Sequence, residues 1–178
     1  VGIKVAVIGT GNILLRDEGI GVHIIRTIGE RYRFPDNVRL IDAGTMGIDL
    51  LPFIEDSERL LIIDAVDLKK PAGTIELING KDLPAILNSK ISVHQIGLSD
   101  LLFAIRFREL PLKEICLIGI QPDSIGTGTE LSDVIKEQVD TLIEHTISLL
   151  REWGIEVFSK EGKEVSHERR HPEGDNRG

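Results

Sequence analysis

The sequence predicts an α/β domain of three layers, a mostly parallel twisted sheet of about five strands with helices on both faces. Three observations predict it. Short apolar runs (residues 5–8, 60–63 and 115–120), the first two stopping abruptly at Gly9 and Asp64, read as strands buried on both faces. Between them lie stretches with apolar residues at helical spacing, such as Ile20, Ile24, Ile25 and Ile28. The connections are short and rich in glycine and proline, which favours strands and helices in alternation.

In order, the first strand runs into Gly9 and a loop that ends at Asp17-Glu-Gly-Ile-Gly21, where Asp17 or Glu18 is placed as a helix cap or first-turn acid. Gly19 and Gly21 each cost a helix about 1 kcal/mol relative to Ala, so the chain needs the room they leave. A second strand, residues 38–42, ends in Asp42, and a short helix follows in which Pro52 is tolerable only in the first turn. The strand at 60–63 ends in Asp64. Residues 74–78 alternate and predict a half-exposed, antiparallel edge strand. Leu98, Leu101, Leu102 and Ile105 share a helical face, giving a helix over 98–108. After the strand at 115–120 comes a Gly-Thr-Gly-Thr loop, then the longest helix, with Ser132 as its N-cap and Asp133 in its first turn. Residues 1–158 are expected to form one domain without internal repeats. Residues 159–178, polar and almost free of apolar side chains, are expected to be a mobile tail that activity does not need.

Composition removes several functions. The chain has 178 residues, ample for one core, and 41% of them are hydrophobic. A net charge of −8 without a basic face argues against nucleic acid. The single cysteine, Cys116, excludes an internal disulfide framework and a thiolate zinc site, and points to a reducing, cytoplasmic setting. Neither a membrane span nor an export signal is expected, for want of a long apolar stretch or a basic-then-apolar start.

In such folds, chemistry collects beyond the carboxyl ends of the strands. Gly9-x-Gly11 followed by a helix, with Asp42 ending the next strand, allows a dinucleotide site. The third glycine is missing at Leu14, however, and Asp17 and Glu18 would repel a phosphate. A metal-reading site fits better. Glu18, Asp64 and His94 converge if the loops after the first and third core strands meet the 92–95 segment, and two carboxylates with one imidazole suit nickel or zinc, with cadmium another divalent candidate. Taken singly, the acids also read as caps or loop residues. No Ser sits in a nucleophile elbow, and Cys116 lies mid-strand between apolar neighbours. Thr45 either shapes the cleft or merely caps a turn.

Together, Gly9-Thr-Gly-Asn-Ile-Leu-Leu-Arg-Asp-Glu-Gly-Ile-Gly-Val22, Asp42-Ala-Gly-Thr45, Ile63-Asp-Ala65 and Ser92-Val-His-Gln-Ile-Gly-Leu98 resemble the nickel-iron hydrogenase maturation endopeptidases, especially the branch serving uptake-type hydrogenases. The likeness covers about residues 3–153. It implies an endopeptidase that removes a carboxyl-terminal extension from the hydrogenase large-subunit precursor once nickel is inserted. It places Glu18, Asp64 and His94 on the family's metal-contacting positions and Asp42 on an acid implicated in activity. The nickel is implied to come with the substrate, and Asp42 or Asp64 would orient the attacking water. On that reading Gly9 and Gly11 shape the turn that delivers Glu18, while Gly19 and Gly21 let a folded substrate approach the backbone. Two other classes remain, a non-enzymatic docking factor for hydrogenase assembly and the dinucleotide-binding module.

Overall fold

The computed structural model describes residues 3–84 and 93–160, with only the backbone described over 93–96. In chain order its elements are β1 (Val5–Thr10), α1 (Ile20–Arg31), β2 (Tyr32–Arg33), β3 (Val38–Gly44), α2 (Leu51–Ile54) and β4 (Arg59–Ala65). They continue with β5 (Ile75–Asn79), α3 (Val93–Phe107), β6 (Glu114–Ile120), α4 (Asp133–Glu152) and β7 (Phe158–Ser159). Two single turns of 3-10 helix, Arg16–Gly19 and Gly47–Leu50, precede α1 and α2.

The five main strands form one sheet in the order β3-β1-β4-β6-β5. All neighbours are parallel except β5, which runs antiparallel to β6 at the edge. The alternating pattern of residues 74–78 gave that edge strand correctly. Its buried Ile78 sits between exposed Leu77 and Asn79, whereas every residue of β1 is buried.

Among the described residues, α1 and α4 lie on one sheet face and α2 and α3 on the other. On one side Ile20, Ile24, Ile25 and Ile28 of α1, with Ile135, Leu142, Ile143 and Ile147 of α4, pack against Val5, Val7, Leu61, Ile63 and Ile118. On the other, Leu51 and Ile54 of α2 and Leu98, Leu101 and Ile105 of α3 pack against Ala6, Ile8, Leu60, Ile62 and Leu117. The period of two in the strands divides the residues of β1 and β4 between the two cores. The four isoleucines of α1 are each at most 4% exposed, and each such side chain contributes about 1.5–3 kcal/mol by leaving water.

The first turn of α1 lies directly on the strand backbone. A Cβ added at Gly21 would sit 2.2 Å from the Ile63 carbonyl oxygen and 2.4 Å from that of Thr10, and one added at Gly9 would meet the Gly21 carbonyl at 2.1 Å. Both glycines are buried against the chain itself. This corrects the expectation that Gly21 keeps room for a substrate; the room is taken by β1 and β4. Gly19 is buried in the same way, with its missing Cβ facing Ile13 at 2.8 Å.

Two elements differ from what periodicity gave. Helix α3 starts at Val93, five residues before Leu98, because only its later turns carry the apolar stripe. The ribbon of β2 and β7 was not foreseen, since two-residue strands carry no periodic signal. It pairs Arg33 with Phe158 and Tyr32 with Ser159, and the Lys160 N–H donates to the Arg31 carbonyl at 2.8 Å, so hydrogen bonding to the body continues through Lys160. Residues 161–178 of the expected tail lie outside the described residues.

Replacing Gly21 with Ala forces backbone against backbone, and a loss of about 3 kcal/mol in a urea unfolding curve is expected, with no change of fold class. Cys116, 1% exposed on β6, has its thiol pushed up to about 11, first by burial and then by the Glu114 carboxylate. Iodoacetamide at about pH 8 should therefore spare native Cys116 and label it only after unfolding.

Candidate active site

At the carboxyl end of the sheet, the loop after β1 turns back to meet the ends of its neighbours. Gly11 has φ +128°, and its Cα lies so close to the Glu18 carbonyl that a Cβ would fall 1.7 Å from that oxygen. The Gly11 N–H donates to the Gly44 carbonyl at 2.9 Å, joining this loop to the end of β3. Gly11 does what the sequence reading asked of it, folding the loop so that the Arg16–Gly19 turn packs on β4. Glu18 in that turn is 3% exposed, and Asp64, near the end of β4, is wholly buried. Two acids nearly removed from water at neighbouring strand ends attract a cation far more strongly than surface acids do.

Neither Asp17 nor Glu18, expected as a cap or first-turn acid, caps α1; both lie in the first turn of the 3-10 helix ahead of it. The cap position of α1 is Gly19, and no side chain caps it. The Asp17 carboxylate, fully buried, instead accepts four hydrogen bonds from the loop after β6. The Asp123 N–H (3.0 Å), Ser124 N–H (2.8 Å) and Ser132 hydroxyl (2.8 Å) reach Oδ2, and the Ser132 N–H (2.7 Å) reaches Oδ1. Ser132 does occupy the N-cap of α4 with extended backbone, but its hydroxyl is spent on Asp17 rather than on its own helix. Backbone bonds add to the join: the Asp17 N–H donates to Ser124 O (3.1 Å), the Arg16 N–H to Gly128 O (2.8 Å), and the Gly128 N–H to Leu14 O (2.9 Å).

Asp42 stands apart from these acids. On β3 it keeps step with Val38 and Leu40, which face the α1/α4 core, and Arg26 of α1 holds its Oδ2 with Nε at 2.8 Å and Nη2 at 2.7 Å. Asp64 falls between Ile63 and Ala65 of that core, in step with Leu60 and Ile62, so strand alternation turns it toward the α2/α3 face. The structure thus brings the Glu18 turn against the strand of Asp64 and sets Asp42 on the other face, about 39% exposed.

His94 lies in the first turn of α3, and its side chain is outside the described residues. The helix backbone one turn later, at Gly97, touches the loop after β3: a Cβ on Gly97 would lie 3.1 Å from the Cα of Gly47. That contact puts the start of α3 at the carboxyl end of the sheet. Among the described residues no trio of His, Cys, Asp or Glu is grouped to hold a metal ion, so the described part of the expected site is its two carboxylates. His23 on α1 belongs to a different neighbourhood, where burial and then Arg26 lower its pKa and leave the imidazole neutral at neutral pH.

The dinucleotide module does not fit this geometry. With Gly21 pressed on Ile63 and Thr10, and two acids folded into the loop ahead of it, the start of α1 has no open cradle for a pyrophosphate. Sequence reasoning missed Arg26 and the bonds that Asp17 makes with the N-cap residue Ser132. For Asp17 the one available signal was its neighbour: two adjacent acids in a turn cannot both cap the same helix.

Comparison with known proteins agrees with this architecture. A family model described as hydrogenase maturation protease (HycI) matches residues 22–149. The hydrogenase 2 maturation protease of Escherichia coli (strain K12) is 38% identical over 161 residues, spanning 89% of this chain and 98% of that protein. The hydrogenase expression/formation protein HupD of Rhodobacter capsulatus is 38% identical over 156 residues, spanning 86% of this chain and 74% of the relative. Among solved structures, the hydrogenase maturating endopeptidase HybD from E. coli superposes with a TM-score of 0.86 at 36% identity, covering 90% of this chain and all of that one. The [NiFe] hydrogenase maturation protease HybD from Thermococcus kodakarensis follows with a TM-score of 0.69 at 30% identity, over 83% and 99% of the two chains. With its sheet order, its acids at the strand ends and these likenesses in accord, the chain belongs to the hydrogenase maturation protease family.

Proposed function

We propose that this protein is a cytoplasmic endopeptidase that removes a carboxyl-terminal extension from the nickel-iron hydrogenase large-subunit precursor after nickel insertion, and that it recognises the nickel the precursor carries. The observation that carries the reading is the packing of the Glu18 turn against β4, which sets two almost waterless carboxylates at the mouth of the sheet. An acidic, recessed site of this kind suits a cation delivered by a substrate, because a partly filled ligand set leaves positions for the precursor's own ligands. His94, at the start of α3, would complete the set with an imidazole.

Hydrolysis needs a water oxygen to bond to the scissile carbonyl carbon, the C–N bond to break, and a proton to reach the departing amine. Asp64 is the better placed of the two candidate acids to orient that water and carry its proton, since it shares the buried end of β4 with the Glu18 turn. Asp42, held by Arg26 on the opposite face, is left with an indirect part. No Ser or Cys nucleophile is called for: Cys116 is a core thiol with a raised pKa. A docking factor would use the same acids to bind without cutting, and product mass tells the two apart.

Mass spectrometry of nickel-loaded precursor mixed with the enzyme should show loss of the extension, and nickel-free precursor should stay intact. Cleavage of both forms alike would remove the metal-reading role. Glu18→Gln, Asp64→Asn and His94→Ala should each slow processing about 100-fold or more while the melting temperature shows a folded protein. A normal rate in any of the three would strike that residue from the site.

A further inference from the structure

We propose that Asp17 is a positioning residue: by binding the loop between β6 and α4 it sets the direction in which Glu18 is presented to the substrate. The inference rests on the reading of Glu18 given above. Residues of a 3-10 turn leave its axis about 120° apart, so the direction of one side chain fixes that of the next. Asp17 is fixed. All four of its contacts come from a single segment on the far side of the turn, and each is 3.0 Å or shorter. Glu18 is therefore turned away from that segment, on a turn that packs against β4.

The network demands a carboxylate and not merely a polar side chain. Three partners are backbone N–H groups, and both carboxylate oxygens accept. In Asn, one oxygen becomes an NH2 group and faces an N–H, donor against donor. The turn also holds Arg16 at φ +50°, a conformation that costs a residue with a side chain about 1 kcal/mol and persists only while its surroundings enforce it. The enforcing contacts are the Arg16 N–H bond to Gly128 and the Asp17 bonds one residue later. When the carboxylate is lost, Arg16 relaxes and the turn re-aims Glu18. Adjacent acids thus divide the work, Asp17 binding the loop between β6 and α4 and Glu18 serving the site beside β4.

Steady-state cleavage of nickel-loaded precursor tests this. Asp17→Asn should lower kcat about 10-fold to 100-fold and leave KM within about twofold, since a displacement of about 1 Å suffices for such a loss. Thr146→Ala, which removes a buried hydroxyl of α4 bonded to the Leu142 carbonyl, is the control for lost stability and should keep its kcat. Combined with Glu18→Asp, Asp17→Asn should cost no more than the slower single variant. Wild-type kcat in folded Asp17→Asn, a loss confined to KM, or losses that multiply in the double variant would each overturn the proposal. If Asp17→Asn does not fold, Ser132→Ala decides: it deletes one of the four bonds, and its kcat should fall about threefold or more, at a melting temperature no lower than that of Thr146→Ala. An unchanged kcat there overturns the proposal. Full activity in Glu18→Gln would instead remove the Glu18 reading beneath it, an outcome separate from a failure of Asp17 alone.

Discussion

The contact from which the rest of the architecture follows is the seating of the first turn of α1 on the bare backbone of β1 and β4. Gly9 and Gly21 meet without a side chain between them, so the helix starts about a Cβ closer to the sheet than helix-on-sheet packing usually allows. This draws Ile20, Ile24 and Ile25 fully into the core and leaves the chain from Gly11 to Gly19 to make its turn in very little space. The acids of that turn have no open solvent to face. Asp17 and Glu18 are buried for this reason, and the protein has to provide for both.

It provides for Asp17 from within. Three backbone N–H groups and one hydroxyl replace the water that the carboxylate lost, and they come from the loop just ahead of α4, where the helix dipole also favours negative charge. The loops after β1 and β6 thereby become one bonded unit. Such a unit resists the local opening typical of loops, which suits a site that must hold acids at a set spacing before its substrate arrives. Sheet alternation does the remaining sorting, with Asp64 turned to the α2/α3 face and Asp42 to the α1/α4 face.

Membership of the hydrogenase maturation protease family fits an enzyme without a visible protease signature. No activated serine or thiol is prepared in the described residues: the single cysteine is a core residue, and its raised pKa reflects burial rather than activation. What the described residues hold at the sheet's carboxyl end is instead a buried pair of carboxylates, Glu18 and Asp64.

Sequence alone determined the layers, the sheet with its antiparallel edge, the long helix starting after Ser132, and the candidacy of Glu18 and Asp64. Each is written in local periodicity or in an acid that ends an apolar run, and local patterns survive folding because they record which face of an element meets the core. The residues also made His94 and Asp42 candidates, and the likeness of four separated motifs gave them their implied roles, His94 as a metal contact and Asp42 as an acid implicated in activity. Tertiary structure alone decided which acid faces which way. Nothing local tells Asp17 from Glu18, since both are carboxylates in one turn; their difference arises from donors more than 100 residues later in the chain. The same holds for Gly21, whose role depends on the Ile63 carbonyl, and for Asp42, whose partner Arg26 lies on another element. Periodicity carries burial, but the pairing of polar groups across the fold is set only when distant segments meet.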